Sequence, residues 1–343
     1  MAFQIHISQK QAGDRTGDVY ELTDSNSTVR AEVWPQCGFN CLRWQIRQDD
    51  GRWADILFTM PDWETNPVPT RSGHPILFPF PGRLRNGNLK FEGQEYQLPF
   101  NDSTKQHAIH GFTPRNPWRV TEWNSDEDSA FVTGEFCLAK DLPEALPTWP
   151  SDFTLSITYR LFKNRLRVEA RVTNLGTRPL PFGLGYHPYF RLPGVNDPDV
   201  GGHVLRANMS ELWEAENNLP TGKTVPLPAA LDFREAKPVG STELDHVFTS
   251  NPAITARVGG LSELAVLSHP QAMGSVQFLV SDVFKNLVLF TPAHRHAIAI
   301  EPYTCSADAS NLAARGIDSN WQVIPVGGTR DESVEYRWVI TEL

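Results

Sequence analysis

The stretch from Phe153 to Thr173 limits what this chain can fold into more than any other. In Phe153-Thr154-Leu155-Ser156-Ile157-Thr158-Tyr159-Arg160-Leu161 the odd positions are apolar and the even ones polar. Lys163-Asn164 then reads as a turn. Beyond it Leu166, Val168, Ala170 and Val172 face one way, and Arg165, Arg167, Glu169, Arg171 and Thr173 the other. Successive side chains of a strand point to opposite faces, so this pattern predicts a hairpin of two half-buried antiparallel strands. Asn174-Leu175-Gly176 ends it.

Short strands recur along the chain. Met1-Ala2-Phe3-Gln4-Ile5-His6-Ile7 alternates near the start, and Glu335-Tyr336-Arg337-Trp338-Val339-Ile340 reads as a strand near the end. Proline, 27 of 343 residues, is scattered and leaves little room for long helices, because it lacks the N–H that a helix interior needs. No strand–helix alternation of the parallel α/β kind is visible. Many short strands with Pro/Gly-rich connections predict an all-β fold, and this length makes it a large antiparallel β-sandwich. No low-complexity linker or internal repeat divides the chain, so residues 1–343 are expected to form a single domain.

Charge and targeting signals narrow the partners. A formal net charge of −9 with no basic run argues against nucleic acid or an anionic membrane surface, which need clustered Lys and Arg. The first residues lack the charged and apolar segments of a signal peptide, and no run of about 18 apolar residues could span a bilayer. The four cysteines, Cys37, Cys41, Cys137 and Cys305, are too few for a disulfide scaffold and are not spaced as a zinc site. Reduced thiols in the cytoplasm are the expectation.

Several residues stand out as candidates for chemistry. Thr221-Gly222-Lys223-Thr224 ends like a phosphate-binding loop, but Asn217 stands where the leading glycine should be, and Pro226 and Pro228 forbid the helix that should follow. A nucleotide site is therefore not expected. His107 and His110 could be metal ligands, structural histidines or hydrogen-bonding groups in a polar pocket. No third ligand is evident, so no metal is expected. His187 lies in Phe182-Gly183-Leu184-Gly185-Tyr186-His187-Pro188-Tyr189-Phe190. There the glycines and proline predict an unusual backbone, and the aromatics could form an amphipathic wall. Glu301 follows Ala297-Ile298-Ala299-Ile300. It is either exposed at a strand end or buried with a task, since a buried carboxylate is costly without partners. Asp245 is similarly open.

Together these segments resemble the aldose 1-epimerase (galactose mutarotase) family. Pro79-Phe80-Pro81-Gly82-Arg83-Leu84 resembles its arginine motif, with Gly82 where the family usually has Asn. Ile109-His110-Gly111 and His187-Pro188-Tyr189-Phe190 resemble its two histidine motifs. Leu219-Pro220-Thr221-Gly222, Asp232-Phe233-Arg234 and Leu244-Asp245-His246 resemble its substrate-aspartate region. Ile300-Glu301-Pro302 through Asp308-Ala309-Ser310-Asn311 resembles its catalytic glutamate motif. The matches run in order from about residue 30 to 340.

The resemblance implies a galactose mutarotase-like supersandwich with an open sugar-binding cleft, working without cofactor. Glu301 would be the general base and His187 the general acid. His110 would hydrogen-bond near the ring oxygen, and Arg83 and Asp245 would hold sugar hydroxyls. Three other readings stay open. A hexose-6-phosphate mutarotase could use Arg83, Arg85, Arg115 and Arg119 as a phosphate clamp. A non-catalytic sugar-binding sandwich would have no use for a matched acid and base. A glycoside hydrolase would normally use two carboxylates.

Overall fold

The computed structural model describes residues 2–66, 68–250 and 254–340. Met1, the first residue of the expected N-terminal strand, and residues 341–343, the end of the expected domain, lie outside them. The predicted hairpin forms from Phe153–Phe162 and Arg165–Asn174, with Leu161 opposite Leu166 and Leu155 opposite Val172. Buried positions alternate with half-exposed ones along both strands, with Arg171 exposed. The expected terminal strand is longer than its pattern suggested, Thr329–Ile340, and pairs with Arg165–Asn174 on one side and Gly274–Val280 on the other.

These strands form the middle of a ten-stranded antiparallel sheet. A second, eight-stranded sheet contains Glu211–Glu216, Asp245–Thr249, Asn286–Phe290, Ile298–Tyr303 and the two-residue strands Gly185–Tyr186 and Ile76–Leu77. A five-stranded N-terminal sheet begins with Phe3–Ala12 and Arg15–Asp24. The fold is all-β, a large antiparallel sandwich. No helix among the described residues is long and apolar enough to cross a membrane.

Contacts between the two large sheets make the core. Phe190 meets Phe278 and Tyr336 edge-on or tilted, and Phe78 meets Phe153. All five rings are buried. Truncating one such ring costs about 3–5 kcal/mol, because the cavity is only partly refilled. One polar group sits in this apolar layer. His74 is wholly buried, with Nδ1 3.0 Å from the Tyr159 hydroxyl and Nε2 2.8 Å from the Tyr336 hydroxyl. Burial disfavours its cation and brings its pKa down to about 3.

His74 also ties the core to the segment that carries His187. The carbonyls on either side of it, Gly73 and Pro75, accept the backbone N–H groups of Tyr189 and His187, each at 3.0 Å.

Candidate active site

The strand Ile298–Tyr303 explains why a carboxylate is buried here. Ile298 and Ile300 belong to the inter-sheet core. By alternation, Ala299, Glu301 and Tyr303 face the other side of the sheet. Register extends that face across neighbouring strands. Val288 lies opposite Glu301 and Val247 opposite Val288, while Asp245 and Ala299 both lie opposite Phe290. Three antiparallel strands thus form one wall carrying Glu301, Tyr303 and Asp245. Glu301 is 1% exposed, which answers the open question: it is not a surface residue at a strand end.

His187 comes to this wall from the crossing between Gly185–Tyr186 and Tyr189–Phe190. Its Nε2 stands 3.3 Å from Glu301 Oε1. The Tyr303 hydroxyl donates to Glu301 Oε2 at 2.7 Å. Tyr189 stacks on the imidazole, centroids 4.9 Å apart and planes 21° from parallel. His187 Nδ1 is buried without a partner, so Nε2 is the nitrogen able to exchange a proton with a ligand.

The glycines before His187 act differently from expectation. Neither Gly183 nor Gly185 adopts a positive φ. They are needed for space: a Cβ on Gly185 would lie 2.6 Å from Pro81 Cβ and 2.7 Å from the Tyr303 ring.

The arginine and first histidine motifs meet on the opposite side. Arg83–Leu84 pairs with Ala108–Ile109. His110, at φ 64°, gives its backbone N–H to the Gly82 carbonyl, and the Gly82 N–H donates to His110 Nδ1 at 3.2 Å. An accepting Nδ1 leaves the proton of the neutral ring on Nε2, as a donor. Gly82 cannot easily be the family's Asn here, because a Cβ would lie 2.8 Å from Ala307 Cβ. Arg83 Nε is 3.8 Å from Asp102 Oδ2.

Arg83, His110, His187, Asp245 and Glu301 all line one cleft of about 570 Å³. Asp245 is exposed at its edge. Burial raises the Glu301 pKa well above the usual carboxylate value, with nearby Asp245 adding to the rise and the Tyr303 hydrogen bond opposing it. Burial lowers His187 to about 3; burial also lowers His110 well below the ordinary imidazole value, helped by the neighbouring His187, Arg83 and Arg115. Burial thus favours the neutral form of each.

Other expectations fare differently. Of the four arginines considered for a phosphate clamp, only Arg83 lines the cleft. Arg85 is bound by Asp308, and Arg119 by Asp141 and Glu135. Arg115 lines a separate hollow with Arg15 and Glu64. Asp308 and Asn311 of the glutamate motif form a clamp on Arg85 and the Asn88 carbonyl rather than lining the cleft. Thr221–Thr224 lies inside the strand Leu219–Pro226. Among the described residues no group of three or more His, Cys, Asp or Glu is placed to hold a metal.

Sequence reasoning missed Tyr303 and Arg71. Tyr303 was findable, since it stands two residues after Glu301 on the same strand face. Arg71 lies in no motif. Its guanidinium is exposed at the cleft and makes no hydrogen bond or ion pair among the described residues.

The model of the family described as Aldose 1-epimerase matches residues 18–336. The chain belongs to the aldose 1-epimerase family. Among its relatives, the uncharacterized protein YihR of Escherichia coli is 29% identical over 71% of this chain and 72% of its own length. The galactose mutarotase of Mus musculus is 23% identical over 68% of this chain and 66% of its own.

Solved structures of aldose 1-epimerase-like proteins share the fold. A galactose mutarotase-like protein from Clostridium acetobutylicum superposes with a TM-score of 0.82 over 98% of this chain and 99% of its own, at 21% identity. A galactose 1-epimerase from Lactobacillus acidophilus gives 0.74 over 99% and 100%, at 18% identity. The sandwich is therefore of the galactose mutarotase-like kind.

Proposed function

We propose that this aldose 1-epimerase family member interconverts the α and β anomers of a hexose by acid–base opening and reclosure of the ring. One observation carries the reading: a buried imidazole and a buried carboxylate in contact at 3.3 Å, in a cleft that Arg83, His110 and Asp245 also line.

The chemistry needs one proton removed from the C1 hydroxyl while another reaches the ring oxygen. Glu301 takes the first and His187 Nε2 supplies the second. The C1–O5 bond breaks and an aldehyde forms. Rotation about C1–C2 presents its other face, O5 attacks, and both protons return to where they began. No atom is gained or lost. His110 Nε2–H donates to an oxygen near the reacting centre, and Arg83 and Asp245 hold hydroxyls that do not react.

The resting pair suits this cycle. Carboxylic acid plus neutral imidazole contains the same number of protons as carboxylate plus imidazolium. Sugar hydroxyls bonding to Glu301 favour the second arrangement, and the proton crosses the short contact. Tyr303 supports it by stabilising the carboxylate.

The test is NMR exchange spectroscopy of anomer interconversion over a panel of free hexoses and their 6-phosphates. Acceleration of a free hexose supports the reading. Acceleration of 6-phosphates alone would replace it with the phosphosugar reading, and none at all with that of a binding protein.

A further inference from the structure

The N-terminal strand leaves one of its edges open. Phe3–Ala12 pairs with Arg15–Asp24 through an unbroken register and has no strand on its other side among the described residues. The first residues fix which way its backbone groups point. The Ala2 carbonyl accepts from the Ser25 N–H, on the paired side, and the Phe3 N–H turns away to the Asp126 carbonyl at 2.8 Å. Bonding groups alternate sides along an antiparallel strand. Ile5, Ile7 and Gln9 therefore aim their N–H and C=O groups outward, where these have no partner among the described residues.

Sheets commonly guard such edges with proline, bulges or charge. Phe3–Ala12 holds no proline and no bulge. Its one lysine, Lys10, is drawn back to Glu32 of its own sheet at 2.6 Å. An apolar spot lies alongside instead. Ile7 is 43% exposed, and Trp123, on the edge strand Arg119–Ser125 of the ten-stranded sheet, is 49% exposed. Tyr20 links them: it stands opposite Ile7 in the register, and its ring centroid is 5.8 Å from that of Trp123.

We propose that this edge is an interface with a second copy of the chain, the two Phe3–Ala12 strands running antiparallel about a two-fold axis at Ile7. A two-fold contact must be self-complementary, and this register is. Ile7 meets Ile7 of the second copy, and their outward backbone groups bond to each other. Ile5 of each copy meets Gln9 of the other, His6 meets Ser8, and Gln4 meets Lys10, so no like charges are opposed.

Charge favours a copy of this chain over an unrelated strand. Pairing ends where the turn at Asp126 already occupies the Phe3 N–H. That turn, Asp126-Glu127-Asp128, is exposed, and its carboxylates form no ion pair among the described residues. The register brings Lys10 of the second copy beside it, and symmetry repeats the contact. The paired segment is short, so the dimer is weak and reversible.

Sedimentation equilibrium of the full chain tests this. The average mass should rise from one chain toward two across the micromolar range. Ile7→Pro removes only an outward N–H and leaves the bonds to Arg15–Asp24 in place. Ile7→Lys sets like charges against each other on the axis. Each should weaken association about tenfold or more. Amide hydrogen exchange, read by NMR, carries a second signature. Protection of the Ile5, Ile7 and Gln9 amides should grow with protein concentration, while the His6 and Ser8 amides, which face Arg15–Asp24, stay protected throughout.

A mass of one chain at every concentration up to the millimolar range would overturn the interface. So would a dimer that neither variant weakens, or one in which the Ile5, Ile7 and Gln9 amides exchange as fast as in the monomer. If neither variant folds, the exchange pattern of the wild type decides alone.

Discussion

At the scale of single residues, the surroundings of Glu301 govern its protonation. Its two oxygens have different partners, His187 on one and Tyr303 on the other. The tyrosine hydroxyl stabilises the ionised form, so removing it raises an already elevated pKa further. Tyr303→Phe is expected to lower kcat about 10–100-fold, the worth of about 1.5–3 kcal/mol for a hydrogen bond to a charged group. The limb of the kcat/KM–pH profile that reports Glu301 should move to higher pH. A profile with that limb unmoved would show that Tyr303 does not govern the carboxylate. Glu301, His187, His110, Arg83 and Asp245 were singled out through their resemblance to family motifs, since their own surroundings in the sequence left Glu301 and Asp245 open, and the structure brings all five to one cleft. Arg71 was not singled out, because its proximity to the cleft arises only from tertiary folding.

At the scale of elements, legibility followed local pattern. The hairpin over 153–174 declares itself because one face is buried along its whole length, so alternation is uninterrupted. Gly185–Tyr186 and Ile76–Leu77 are two residues each, too short for any period, and exist only because neighbours bond to them. His74 is one of the devices that hold this region, and its titration gives a measurable signature. Its folded pKa, about 3, lies below the unfolded value of about 6.5. The stability due to neutral His74 is therefore full above about pH 6.5 and is lost as pH falls toward 3. Between pH 7 and pH 5 the loss is about 2 kcal/mol. His74→Gln does not titrate but can still bond a tyrosine. Urea unfolding of the variant should show a shallower fall in stability over that range than wild type, by about that amount. Parallel pH dependences would contradict the assignment of a buried neutral imidazole.

At the scale of the molecule, a contiguous set of buried apolar side chains runs from Phe3 to Trp338. The late strand Thr329–Ile340 lies in the middle of the ten-stranded sheet, so it cannot leave without opening the core. One cooperative unit is the expectation. Urea transitions followed by tryptophan fluorescence and by far-ultraviolet circular dichroism should coincide, and two separated transitions would instead indicate independent domains. The sandwich class could be read from strand alternation and proline content. The order of strands could not, because the glutamate strand is flanked by partners from residues 185–190 and 286–290, and such pairings leave no local trace.

The central claim is that Glu301 moves the proton from the anomeric hydroxyl. It is tested most directly by measuring anomer exchange of the best free hexose by NMR with wild type and with Glu301→Gln. Glutamine keeps the shape and can still hydrogen-bond the hydroxyl, but it cannot accept the proton. The account predicts an unchanged melting temperature and a loss in kcat on the order of 10²–10⁴, about 3–5 kcal/mol of barrier. A folded Glu301→Gln protein that converts the sugar at near wild-type rate would contradict it.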